Sequence, residues 1–141
     1  MAQRIHLSLR LRAATLDRLA RRAARVGELK TSLAARYVEE GLRMEEHPGV
    51  VFRAGPAGRC AGLAGHRLDL WQVIETVRNE GGDVEAAAGY LAESPGVVPV
   101  AVGYYGDHAE EIDTQIAENS RRRGRSSPRM SVTSHPCTAP S

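Results

Sequence analysis

Seven residues near the start of the chain restrict its fold more than any other stretch. From Arg4 onward, Ile5, Leu7 and Leu9 alternate with His6, Ser8 and Arg10, the period of a strand with one apolar face. A lone strand of that length cannot persist. Its backbone donors and acceptors and its apolar side both need a neighbour, so the segment implies a second copy of the chain.

The alternation stops at Ala13. Leu16, Leu19, Ala20 and Ala23 then recur three and four apart, with Arg18, Arg21, Arg22 and Arg25 mainly elsewhere on the wheel. This predicts an amphipathic helix ended by Gly27. A second helix is expected from Thr31 or Ser32, either of which suits its cap. It runs to about Met44, with Leu33, Ala34, Tyr37, Val38 and Leu42 as its apolar stripe. A strand and two helices in fewer than fifty residues do not make an independent core. Two copies do, if the strands pair antiparallel across a two-fold axis and the helices interlock. His6, Ser8 and Arg10 would then stand as a doubled row on a ribbon that fits a DNA major groove.

Charge is distributed in the same sense. Residues 1–46 hold ten Arg/Lys against six Asp/Glu, residues 47–118 four against eleven, and residues 119–141 five arginines and no acid. A basic head, an acidic body and a basic tail point to different partners. In the head, Arg10 has the geometry for a bidentate pair with guanine, and Ser8 and His6 reach base edges. Arg4, Arg12 and Lys30 suit phosphate, as do the first N–H groups of the second helix near Thr31 and Ser32.

Residues 3–45 resemble the ribbon-helix-helix family of bacterial repressors and antitoxins. The matching features are the Ile-x-Leu-x-Leu-Arg-Leu strand, the Leu-rich first helix, the Gly27 turn and the Glu-Glu-Gly-Leu-Arg helix end. The resemblance implies an intertwined β-α-α dimer that presents His6, Ser8 and Arg10 to bases.

His47-Pro48-Gly49 opens a second unit. Val50–Phe52 and Cys60–Leu63 are expected as a β-hairpin across Gly55-Pro56-Ala57-Gly58. Asp69 with Gln72 forms a capping box for a helix carrying Leu70, Trp71, Ile74 and Val77, which stops at Gly81-Gly82. Asp83 caps a short helix with Val84, Ala87, Ala88 and Leu91. Ser94 caps another, in which Val98, Val102 and Tyr105 share a face and Pro99 is awkward. The last helix follows Asp107 and ends near Glu118. The weakly polar run from Gly96 to Gly103 reads either as ordinary core or as a docking face. It carries no basic residue for a DNA groove, so base reading is left to the head.

Residues from about Val50 to Glu111 resemble the small helical domain called DUF433, whose members are frequently antitoxins encoded beside PIN-like ribonuclease toxins. The carriers are the hairpin, Gly65-His66-Arg67, Gly82-Asp83-Val84-Glu85, Ala101-Val102-Gly103-Tyr104-Tyr105 and Asp107-His108-Ala109-Glu110-Glu111. The resemblance makes Arg67 a candidate partner-binding residue. From Asn119 the absence of periodicity predicts a disordered tail whose Arg121, Arg122 and Arg123 are further candidates for partner binding.

The expected fold class is therefore mainly α. A ribbon-helix-helix domain (1–46) precedes a β-hairpin with a three- to four-helix bundle (47–118) and a disordered basic tail (119–141). No catalyst is expected. The five histidines lack metal-ligand spacing and no paired-Cys motif occurs. Cys60 reads as a buried or idle thiol, and Asp83, Glu85, Asp107, Glu110, Glu111 and Asp113 read as caps and first-turn acids. Two separated cysteines, no signal peptide and no apolar run of spanning length predict a cytoplasmic protein with no metal or cofactor. Its expected partners are operator DNA, a second copy of the chain, higher assemblies being open, and a PIN-like toxin. The alternative is a dimeric repressor whose second domain oligomerises or senses a ligand, with no toxin.

Overall fold

The computed structural model describes residues 3–55, 58–93 and 96–125. Among them are six helices and one two-stranded antiparallel sheet. The chain divides into two compact units, Met1–Leu42 and Arg43–Ser141.

In the first unit, residues 3–12 form no strand. A strand is defined by ladder hydrogen bonds, and a single chain offers this segment no second strand. Helix α1 (Ala13–Val26) ends at Gly27, whose φ of 72° is a left-handed cap; its N–H and that of Glu28 both return to Ala23 O. Helix α2 spans Lys30–Glu46. It starts earlier than expected, because Leu29 O already accepts from Leu33 N at 3.0 Å. Thr31 and Ser32 are therefore first-turn residues and not caps. Arg36 fixes the α1–α2 turn: its Nη1 donates to Glu28 at 2.6 Å, and its Nε lies 3.8 Å from Glu40.

The second unit is built on a hairpin and a central helix. Strand β1 (Val50–Gly55) pairs with β2 (Gly58–Leu63) in a register running from Val50 opposite Leu63 to Gly55 opposite Gly58. Helix α3 (Leu70–Asn79) packs against β2 and against the three helices that follow. Leu70, Trp71, Val73 and Ile74 on it are buried, which is why this helix has the strongest apolar pattern of the body. The expected capping box is present: Asp69 bonds the backbone of Gln72, and Gln72 Oε1 accepts from Asp69 N at 2.9 Å. Gly81 and Gly82, at φ 65° and 89°, turn the chain away. Helix α4 (Val84–Leu91) starts on Asp83, whose Oδ1 accepts from Ala86 N at 3.0 Å.

Helix α5 (Val97–Asp107) buries Val98, Ala101 and Tyr104. The expected face of Val98, Val102 and Tyr105 is thus rotated, and Val102 is exposed. The rotation places the Tyr104 hydroxyl against Arg43 and Glu111 at the edge of the core. Pro99 is not awkward, because it falls in the first turn, where its missing N–H has no intrahelical partner to lose. Val98 and Ala101 are in the core and Val97 and Val100 pack against it, whereas Gly96, Pro99, Val102 and Gly103 are exposed. The expected cap Ser94 lies outside the described residues. Helix α6 runs Ala109–Arg125, past the expected end at Glu118. Residues 119–125 are helical for two reasons: Asn119 is buried, and Arg123 reaches Glu75 on α3 at 3.2 Å. Arginines in the last turn also suit the helix dipole. The remainder of the predicted tail lies outside the described residues. Cys60 is buried but not an idle thiol, since it is disulfide-bonded.

Trp71 is the largest fully buried side chain in the structure. Trp71→Ala should cost about 3–5 kcal/mol, read as a large drop in the urea midpoint of the second unit by near-UV circular dichroism, and an unchanged midpoint would contradict this core.

Candidate functional site

The side chains that the sequence assigns to DNA are all at the surface. His6, Ser8 and Arg10 are exposed on residues 3–12, with His6 Nε2 3.1 Å from Ser8 Oγ. Arg4 and Arg12 are exposed on the same segment. Lys30, Thr31 and Ser32 are exposed in the first turn of α2, where backbone N–H groups are unmatched. All eight lie within the first unit.

Exposure of the alternate residues is the more telling observation. Ile5 is 84 % exposed and Leu7 69 %, and Leu9 and Leu11 are exposed as well. Leu9 and Leu11 line an apolar groove of about 520 Å³ together with Leu19, Ala34, Tyr37 and Val38, and Arg18 and Arg22 flank it. Leu16, Tyr37, Val38 and Leu42, the residues expected to be the inner stripes of α1 and α2, also remain exposed. Only Ala23, Leu33 and the carboxylate-bearing Glu40 are buried on these helices. Both faces of residues 3–12 are therefore uncovered, one apolar and one polar.

The second unit is organised by arginines that sequence reasoning passed over. Arg53 on β1 donates to the carbonyls of Leu63 (2.5 Å), His66 and Leu68 (3.3 Å), and lies 3.5 Å from the fully buried carboxylate of Asp69. It clamps the loop between β2 and α3. Gly62 makes room for it: a Cβ there would sit 2.7 Å from Arg53 Cζ. The only sequence signal was an arginine in an otherwise apolar strand two residues after a Val-Val pair. Arg67, the arginine singled out from the motif, is exposed and makes no hydrogen bond among the described residues.

Two further knots share one design. Arg43 Nη1 donates to Tyr104 OH at 2.9 Å and to Glu111 at 3.2 Å, and Tyr104 OH donates to Glu111 at 2.7 Å. One residue on, Arg78 donates to Tyr105 OH at 2.5 Å and to Asp113, and Tyr105 OH donates to Asp113 at 2.8 Å. Burial, with the Glu111 carboxylate beside it, pushes the Tyr104 hydroxyl well above the ordinary tyrosine range. Hydrogen bonds from Arg78 and then Tyr105 hold the Asp113 carboxyl below its usual value. Of the acids read as caps and first-turn residues, Asp83 caps α4, and Glu111 and Asp113 are tied to arginines. Among the described residues, no three His, Cys, Asp or Glu side chains gather as metal ligands. Arg121 is exposed and without a hydrogen bond among the described residues, Arg123 pairs with Glu75, and Arg122 is half-buried. No helix among the described residues is long and apolar enough to cross a membrane.

In comparisons with known proteins, no family model, no curated protein and no solved structure matches this chain.

Two predictions follow from the arginine clusters. Arg53→Ala should destabilise the second unit by about 2 kcal/mol, the loss expected for charge-assisted bonds to carbonyls that are left unmatched. Gly62→Ala should do similar damage by displacing the same guanidinium. In a double-mutant cycle the pair should be no worse than the poorer single variant, whereas additive losses would refute the clamp. The raised Tyr104 pKa means that its contribution is complete below the ordinary tyrosine value and fades as pH rises above about 10. Tyr104→Phe should therefore lose less stability than the parent chain between neutral pH and pH 11 in thermal melts, and equal losses would contradict the assignment.

Proposed function

We propose that the chain is a dimeric DNA-binding antitoxin whose head binds the operator of its own operon and whose acidic body engages a toxin. The observation that carries the DNA reading is the two-faced exposure of residues 3–12. Ile5, Leu7, Leu9 and Leu11 stand in water beside an apolar groove, and His6, Ser8 and Arg10 alternate with them. Burying each of the apolar four contributes about 2 kcal/mol, so pairing with a second copy is strongly favoured once strands align. Antiparallel pairing of residues 4–10 makes the ribbon of a ribbon-helix-helix dimer, with the apolar row inward and the polar row outward.

On DNA the outward row enters the major groove. Arg10 reads guanine, Ser8 and His6 read neighbouring base edges, and Arg4, Arg12, Lys30 and the first turn of α2 hold phosphates. The toxin reading rests on the resemblance of residues 50–111 to DUF433 antitoxins, and a PIN-like ribonuclease is the partner it favours. Arg67 and Arg121, both exposed and without hydrogen bonds among the described residues, are the arginines best placed to pair with a toxin's active-site carboxylates.

The test is fluorescence anisotropy on DNA from the chain's own promoter region across a salt series. Arg10→Ala should weaken specific binding by tenfold or more, the scale of one bidentate base contact. Lys30→Ala should weaken all sequences alike and reduce the salt slope by about 1. Arg67→Ala should leave DNA binding intact and impair neutralisation of the neighbouring ribonuclease on co-expression. If Arg10→Ala and His6→Ala leave affinity and salt dependence unchanged, the ribbon does not read this DNA.

A further inference from the structure

Helix α1 shows solvent a row of four arginines, Arg18, Arg21, Arg22 and Arg25, all exposed. At about 100° per residue they fall within an arc of about 100°. The opposite side of the helix turns inward, with Ala23 buried and Leu19 and Ala20 half-buried. Arg18 and Arg22 border the apolar groove, and Arg21 and Arg25 stand clear of it. None of the four forms a hydrogen bond or ion pair among the described residues, and neither does Asp17, the single acid of α1.

That isolation sets the row apart. Other arginines of the chain meet acids: Arg36 meets Glu28, Arg43 meets Glu111, Arg78 meets Asp113 and Arg123 meets Glu75. A solvated helix face ordinarily interleaves the two signs. Here Arg18 and Arg22, and Arg21 and Arg25, are like charges four residues apart, which repel and weaken the helix. An anion laid across the row removes that repulsion. From Arg18 to Arg25 the row runs about 10 Å along the helix axis. One strand of duplex DNA presents a phosphate about every 3.4 Å of its own axis, so a row of that length meets about three.

We infer that the arginine face of α1 is a docking surface for the sugar-phosphate backbone of a nucleic acid, held without regard to base sequence. Each guanidinium is a planar fork of donors that matches phosphate oxygens and keeps its charge. Helix α1 has no Asn, Gln or aromatic residue, so it offers neither amide contacts to adenine nor a platform on which bases stack. A membrane surface suits the helix less well, because the apolar stripe that would enter the lipid is partly turned inward. The surface is separate from the row of His6, Ser8 and Arg10, and the inference does not rest on base reading by that row or on a toxin.

The experiment uses the full chain and two 16-base-pair duplexes of scrambled sequence, one DNA and one RNA, with affinity measured by fluorescence anisotropy across a salt series. Arg21→Gln and Arg25→Gln should each lower the salt slope by about 1, and the double variant by about 2. The double variant should also bind about tenfold more weakly at 0.1 M salt. Arg125→Gln, an equal loss of charge on α6, should change the slope by less than half as much as either. The paired lysine variant, Arg21→Lys with Arg25→Lys, keeps the charge and should keep the slope. The tighter duplex names the source of the phosphates, and dependence on Arg21 and Arg25 with either supports the inference. Arg10→Ala should leave the effect of Arg21→Gln unchanged, so failure of the ribbon and failure of this face are separate results. The inference is overturned if Arg125→Gln is as harmful as Arg21→Gln, or if the lysine variant loses the slope as well. It is equally overturned if poly-glutamate displaces the duplex at equal charge concentration. Phosphatidylserine vesicles that respond to Arg21 and Arg25 when neither duplex does would also overturn it, in favour of a membrane surface.

Discussion

Within the first unit, a single chain has no means to cover its own apolar side chains. Two helices of 14 and 17 residues bury little more than Ala23 and Leu33 between them. Leu9, Leu11, Tyr37 and Val38 line an open groove, and Ile5 and Leu7 project beyond it. Such a surface is unstable as an isolated object, because the apolar area left in water exceeds what so short a segment is able to bury. In the proposed dimer, pairing of two copies, strand formation and the display of His6, Ser8 and Arg10 are one event. The Gly27 turn and the Arg36 pairs with Glu28 and Glu40 fix the corner between the two helices.

The second unit solves its packing within one chain and does so around α3. Trp71 and its neighbours fill the space between the hairpin and the later helices. Polar groups are then used for placement. Arg53 secures the loop that delivers Asp69 to the start of α3, and Gly62 leaves the room that the guanidinium requires. Arg43 and Arg78 tie consecutive tyrosines of α5 to acids of α6. At the part-buried Arg53 and Arg43 several hydrogen bonds offset the cost of desolvating the charge, whereas the Arg78–Asp113 pair is about half-exposed and contributes less.

Periodicity and caps made most elements legible in advance. The α1 stripe with Gly27, the Asp69–Gln72 box and the Asp83 cap are local signals, and local hydrogen bonds decide them. The hairpin was legible from apolar runs on either side of Gly and Pro. Rotation of α5 was not, since either face of that apolar helix satisfies the pattern and only the Tyr104 partners select one. The extension of α6 through Arg125 was also hidden, because Asn119 is buried and Arg123 finds Glu75, 48 residues away in sequence. At the candidate site, alternation marks His6, Ser8 and Arg10 as one face of a strand, whereas in the single chain residues 3–12 form no strand and Ile5, Leu7 and Leu9 are exposed beside them. The Arg53 clamp was not legible, because it depends on which distant atoms meet.

The central claim is that residues 4–10 become a strand only against a second copy, and amide hydrogen exchange on the full chain tests it directly. If the claim holds, alternate amides between Ile5 and Arg10 will be protected in the dimer and will lose protection on dilution or in Leu7→Lys. Exchange of all of these amides at the rate of an unstructured peptide, at concentrations where the chain sediments as a dimer, would contradict it.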